Sequence, residues 1–297
     1  MLGLVSFLHA DCTAMKRPSP DDLRTFQTYL DGLVARYEQP SFIEDDPIAI
    51  PRGFDDPRDQ EVIGLYAALL AWGQRKTILN KMADLCERMH YQPYRFVYDY
   101  GEGQGRDALA GFKHRTFQPI DAHWFTRNLS SALRQHNTIE ALFARHMMGK
   151  DADVGPAIQG FSKSLLEGHP ETPPRLRKHL ARPKARSACK RLCMYLRWMV
   201  RPGPVDFGIW TNIRPNQLVL PLDVHSGRQA RALGLLNRKA NDWRAATELT
   251  ASCKQFDAND PAKYDFALFG VGAYSEALDP RFVDDNRTDW TSLPIAR

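Results

Sequence analysis

An all-α fold is predicted by three features of the 297-residue chain. Helix-start signals recur along its length, apolar residues repeat at helical spacing, and alternating strand patterns are scarce. Ser19-Pro20-Asp21-Asp22 offers an N-cap, a proline at the first helical position and acids in the first turn. Asp56-Pro57-Arg58-Asp59 repeats the device ahead of Val62, Ile63, Tyr66, Ala67 and Leu70, which are spaced for one buried helical face. Further helices are expected over 75–89, 121–147, 153–167, 187–200, 224–233 and 241–255. Asp260-Pro261 opens a last one through Tyr264-Asp265-Phe266-Ala267-Leu268-Phe269. Residues 40–55 and 101–120 read as loops, and Gly168 to Pro183 as an irregular connector rich in proline and charge.

The stretch 56–180 can form a helical bundle by itself, which leaves residues 20–55 plus 181–297 to make a second helical subdomain from both chain ends. A cleft is expected between the two. Residues 1–19 are expected to be a mobile extension, with Met15 an alternative start. The opening Met1 to Leu8 is apolar but lacks a basic flank, so no secretory signal is expected, and no apolar run reaches membrane-span length. The five cysteines are odd in number and scattered, which argues for a reducing cytoplasm and against a disulfide framework. Cys189 and Cys193 lie one helical turn apart but lack metal-ligating partners, so neither a metal site nor a cofactor is expected.

Charge is the most pointed signal. No Asp or Glu occurs from Thr172 to Val205, and ten Lys or Arg residues fall between Arg175 and Arg201. A field so concentrated suits a polyanion, gripped by phosphate neutralisation and counterion release. Arg182, Lys184, Arg186, Ser187, Arg191 and Arg197 are the candidate phosphate contacts, joined by His225 downstream.

On the helix after Ser187, the positions of Cys189, Leu192, Cys193, Leu196, Met199 and Val200 define a core face. Lys190, Met194, Arg197 and Arg201 make another stripe. Lys190 thus lies in the first turn, where nearby Arg186 and Arg191, partial desolvation and the helix dipole all disfavour its ammonium form. That would make it a usable amine nucleophile, although basic stripes more commonly do electrostatic work. Asp223 precedes the helical run from Val224 to Leu233 and fits an N-cap. A capping carboxylate stays ionised and can also stabilise a developing cation or shuttle a proton.

A lysine in the first turn of one helix, followed by Pro221-Leu222-Asp223-Val224-His225 opening another, resembles the helix-hairpin-helix base-excision DNA glycosylases. The likeness is nearest to the 8-oxoguanine glycosylase/lyases, whose motif reads Pro-Val-Asp-Val-His. The long gap from Lys190 to Asp223 is similar to the archaeal type. Leu69-Leu70-Ala71-Trp72-Gly73-Gln74 resembles the Leu-Leu-Ser-x-Gln segment that begins the helical-barrel half of that superfamily and helps fill the hole left by the extruded base.

The strings Lys190-Arg191-Leu192, Leu196 to Arg201, Phe207 to Trp210 and Lys263 to Gly270 are also similar, over roughly residues 20–275, to a prokaryotic family of unassigned function. The glycosylase resemblance implies that Lys190 attacks the sugar C1′ and leads to lyase cleavage, while Asp223 assists departure of the base. It also implies a flipped nucleotide, with Trp72, Gln74, Met194, Asp265 and Phe269 as the candidate base pocket. One departure stands out. The superfamily's glycine-rich hairpin is absent, and Leu180-Ala181-Arg182-Pro183-Lys184-Ala185-Arg186-Ser187 stands in its place with no glycine.

The expected function is base excision from double-stranded DNA by a monomer, with oxidised guanine the favoured base. A non-catalytic DNA- or RNA-binding protein on the same scaffold is the alternative, and another enzyme acting on RNA or a small molecule stays open. The Asp206–Gln217 segment, with Trp210, has no assigned role.

Overall fold

The computed structural model describes residues 19–44, 46–101, 103–149 and 152–283. The expected N-terminal extension therefore lies outside the described residues, apart from Ser19. Helices make up the fold, and the only β pairing among the described residues is two isolated bridges, His114 with Phe117 and Pro202 with Phe207.

The sequence signals place most of the helices. Helix α1 (Pro20–Tyr37) starts at Ser19, whose side chain exchanges capping bonds with Asp22. After the short α2 (Ala49–Arg52), α3 (Pro57–Leu70) starts at Asp56, whose carboxylate accepts from Arg58 N–H. Helix α4 (Arg75–Arg88) follows as expected and α5 (Pro93–Tyr98) is not foreseen, while the regions expected as loops hold α2 and α6 (Gln104–Ala108).

The single helix expected over 121–147 is two. Helix α7 (Pro119–His136) ends at Asn137, which adopts φ 66°, and Thr138 caps α8 (Ile139–Ala144). An asparagine is one of the few residues that tolerate such a reversal. Next come α9 (Gly155–Leu166), α10 (Lys190–Val200), α11 (Val224–Ala232), α12 (Trp243–Lys254) and α13 (Tyr264–Ala273). Asp260-Pro261 opens a 3-10 turn ahead of α13, and Asp260 gives its side chain to Arg201 instead of capping.

Buried side chains from Phe26 to Val271 form one continuous core. Helix α3, buried almost all round, packs against α2, α4, α5 and α10, while α7 packs against α5, α8 and α9. At the other end α13 is held between α1 and α11. The core face of α10 is as expected: Cys189, Leu192, Cys193, Leu196, Met199 and Val200 are all buried.

The stripe expected to face away from that core is not uniformly exposed. Arg197 and Arg201 are each only 4 % exposed. Asp206, buried in turn, accepts from both of them; Arg197 also donates to Asp265, and Arg201 to Glu38 and Asp260. Acids from four other segments thus compensate two cations that burial would otherwise penalise heavily. The 206–217 segment acquires a role: Asp206 anchors α10, and the Trp210 indole donates to Glu61 on α3.

Candidate functional site

Asp223 is held in the β region (φ −120°) as the N-cap of α11 and uses its two carboxylate oxygens differently. Oδ1 accepts from Ser226 N–H at 2.8 Å, and Ser226 Oγ accepts in return from Asp223 N–H at 3.0 Å. Oδ2 points the other way and accepts from Lys190 Nζ at 2.8 Å. Burial would raise the Asp223 carboxyl, but Lys190 and the Ser226 bonds outweigh it and hold the group below the usual carboxylate range. Capping and a place in the site are therefore compatible in one residue.

Lys190 is the first residue of α10, and it is half-buried. The nearest charge to its amine is the Asp223 carboxylate, not a cation, so the expected crowding by Arg186 and Arg191 does not dominate. Arg186 is exposed, and Arg191 sends Nη1 to the Leu69 carbonyl, tying α10 to the end of α3. The Lys190 ammonium also lies 5.9 Å from the Phe269 ring centroid.

The pair lies where two cavities meet. An open cleft of about 790 Å³ is bordered by Trp72, Ser187, Lys190, Arg191, Asp223, His225, Asn241 and Tyr274 among others. A smaller chamber of about 150 Å³ shares Arg75, Lys190, Asp223 and Phe269 with it and reaches inward to Asp46, Met194, Arg197 and Asp265. Asp223 is the one carboxylate bordering the open cleft among the described residues.

The expected base-pocket residues divide. Met194, Asp265 and Phe269 line the inner chamber. Trp72 borders only the outer cleft, edge-on to His114 and under Arg115. Gln74 is exposed and lines neither cavity; it is the residue before α4, and its side chain makes no capping bond. Gly73, at φ 116°, turns the chain between α3 and α4, and a Cβ there would meet Arg115 Nη1 at 2.7 Å.

The expected phosphate contacts divide as well. Lys184 and Arg186 are exposed, Arg182 is half-buried, and the loop that carries them reaches the cleft at Ala181 and Ser187. His225 is exposed at the cleft edge, its ring 6.5 Å from that of Phe269. Arg197 is the clear correction: buried, and bound to Asp206 and Asp265, it faces the inner chamber and not a phosphate backbone. Arg175 of the same basic run is likewise spent on a two-pronged ion pair with the buried Asp121. The positive field is narrower than the residue count suggests.

In place of a glycine hairpin, a 3-10 turn over Pro183–Ala185 is followed by left-handed residues at Arg186 (φ 60°) and Cys189 (φ 52°). Ser187 does not cap α10 itself: its Oγ accepts from Cys189 N–H at 3.1 Å, and Cys189 is the N-cap residue. Burial pushes the Cys193 thiol far up and Cys189 up to about 12, so neither is a thiolate nucleophile. No group of His, Cys, Asp and Glu that could hold a metal occurs among the described residues, and no described helix is long and apolar enough to cross a membrane.

Four residues at the site carried no sequence signal: Arg75, Asp46, Asn241 and Tyr274. Arg75 borders both cavities, and its side chain makes no hydrogen bond or ion pair among the described residues. Asn241 donates to the Asp223 carbonyl at 2.9 Å. Tyr274, 56 % exposed, stacks on Tyr37.

No curated protein and no solved structure matches the chain. A family profile described as "Protein of unknown function (DUF2400)" matches residues 46–274, a span that includes Lys190, Asp223 and every residue of the inner chamber except Phe42. By that match the chain belongs to a family of unknown function, DUF2400.

Proposed function

We propose that the protein is a DNA base-excision glycosylase with Schiff-base lyase chemistry, acting on a flipped oxidised purine. The observation that carries this reading is the Lys190–Asp223 pair, 2.8 Å apart where an open basic cleft meets a chamber suited to one planar base. Duplex would lie along the open cleft, with Lys184, Arg186 and Arg75 meeting phosphates. The extruded base would enter the chamber between Phe269 and Met194.

In this reading the Lys190 amine, once it has passed its proton to solvent or to the leaving base, forms a bond to C1′ as the glycosidic bond breaks. Asp223, held ionised, offsets the positive charge that builds on the sugar. Ring opening then gives the Schiff base, and loss of a C2′ proton expels the 3′ phosphate.

Borohydride trapping tests the proposal. A covalent adduct should form on duplex carrying 8-oxoguanine or an abasic site and vanish in Lys190→Gln. Asp223→Asn should slow base release by at least ~100-fold, the lower range of acid–base contributions. Absence of any adduct from the wild-type protein, with duplex binding intact, would sink the lyase reading. A second reading, a DNA- or RNA-binding protein that does not cut, is favoured by one observation: the Lys190 amine is tied to Asp223 in an ion pair. It predicts salt-sensitive binding, unchanged in Lys190→Gln, with no product on any duplex.

A further inference from the structure

We propose that Asp46 is a specificity-determining residue: with Asp265 it gives the inner chamber hydrogen-bond acceptors from two separate elements, selecting a nucleobase with N–H donors on two edges. This rests on the reading of the chamber as a base pocket. Asp46 lies in the turn before α2, a region that the sequence marks only as loop, whereas Asp265 belongs to α13.

Each carboxylate has one oxygen committed and one unspent. Asp46 Oδ1 accepts from Ile48 N–H at 3.0 Å, and Oδ2 takes no hydrogen bond among the described residues. Asp265, only 6 % exposed, gives Oδ2 to Arg197, and its Oδ1 takes none among the described residues. The unspent oxygen of each carboxylate is therefore available to accept a donor from the occupant.

Electrostatics agree. Burial raises both carboxyls from their ordinary range, while Arg197, Lys190 and, for Asp46, Arg75 act against it. With Asp265 raised only to about 6, its carboxyl still accepts at neutral pH.

The base edges then discriminate. Guanine presents N–H groups at N1 and N2 on one edge, and oxidation at C8 adds N7–H on the other. Adenine carries its N–H donors only on the exocyclic N6 amine; at N1 and N7, where 8-oxoguanine places N–H groups, it has bare ring nitrogens that would meet a carboxylate lone pair to lone pair. A site built to hydrogen-bond a donor rejects an analogue that lacks it far better than a hydrophobic pocket rejects a change in size.

Calorimetric titration with free 2′-deoxynucleosides tests this without requiring any bond to break. Asp46→Asn keeps an oxygen for Ile48 N–H and turns the unspent acceptor into a donor. Asp46→Ser also keeps a turn-forming oxygen but removes the carboxylate. The wild-type protein should bind 8-oxo-2′-deoxyguanosine in preference to 2′-deoxyadenosine. Both variants should cut that preference about tenfold or more, as expected for loss of a charge-assisted bond, with the melting temperature of at least one variant unchanged.

Equal preference in wild type and in a variant that melts normally overturns the inference, and so does failure of the wild type to bind any nucleoside. Nucleoside selectivity lost in the variants, but no trapped adduct from the wild type, keeps the role of Asp46 and removes the lyase reading.

Discussion

Glu61 offers a direct test of how the core of this protein tolerates charge. Its side chain is 5 % exposed on α3 and meets donors from two later segments. Oε2 accepts from Ile139 N–H at 3.2 Å, and Oε1 accepts from Glu140 N–H at 3.2 Å and from the Trp210 indole. No cation pairs with it among the described residues, so burial prevails over these hydrogen bonds and pushes the carboxyl from its ordinary 4.5 up to about 7.

A raised carboxyl holds its proton in the folded state after the unfolded state has released it. Stability from Glu61 is therefore fully present below the unfolded value and is lost as pH rises through the folded one. Integrated between about pH 5 and about pH 8, the displacement amounts to roughly 2–3 kcal/mol of lost stability. Glu61→Gln carries no titrating group and should lack that component.

Urea unfolding of both proteins across this range provides the measurement, with the difference between their unfolding free energies as the readout. The wild type should lose roughly 2–3 kcal/mol relative to the variant on going from acid to mildly alkaline pH. Profiles that run parallel within ~0.5 kcal/mol, at the level of ordinary additivity error, would refute the claim that burial governs this carboxyl.

Two more predictions follow from features of α10 and the loop before it. Asp206→Ala should destabilise the protein by about 3 kcal/mol or more, because Arg197 and Arg201 lose a shared, fully buried counter-charge; equilibrium denaturation at neutral pH checks it, and a loss below ~1 kcal/mol would show that the remaining acids suffice. Arg186→Ala should leave thermal stability nearly unchanged, since the side chain is exposed, yet reduce the dependence of duplex binding on salt by about one counterion. Titrations at several salt concentrations measure that slope, and an unchanged slope would remove Arg186 from the phosphate contacts.

The sequence was most legible where chemistry is local. Helix α1 begins at Ser19 and α3 at Asp56 because each cap bonds backbone only a few residues away. Lys190 and Asp223 could be singled out for the same reason: each marks a helix start, and two helix starts brought face to face make the pair. Long-range partners were not legible. Arg197 reads as one more cation in a basic run, and only the fold reveals Asp206 and Asp265 beside it.

Asp46 and Arg75 carry no motif, because their place in the site depends on how α2 and α4 pack beside α10 and α13. Gln74 shows the opposite failure. Its motif neighbours are at the cleft, but a residue that precedes a helix points where the turn sends it, here to solvent.

The Glu38–Arg201 contact bears on where this protein can be divided. Glu38 ends α1, ahead of the residues 46–274 that define the family match, yet it accepts from the same guanidinium that holds Asp206 under α10. Phe26, Leu30 and Leu33 of α1 belong to the shared core. The span that matches the family profile and the span that shares the core therefore have different left-hand borders. An excision at the recognisable border would discard one carboxylate of a four-acid clasp and leave α13, with Asp265 on it, without one of the two helices that hold it.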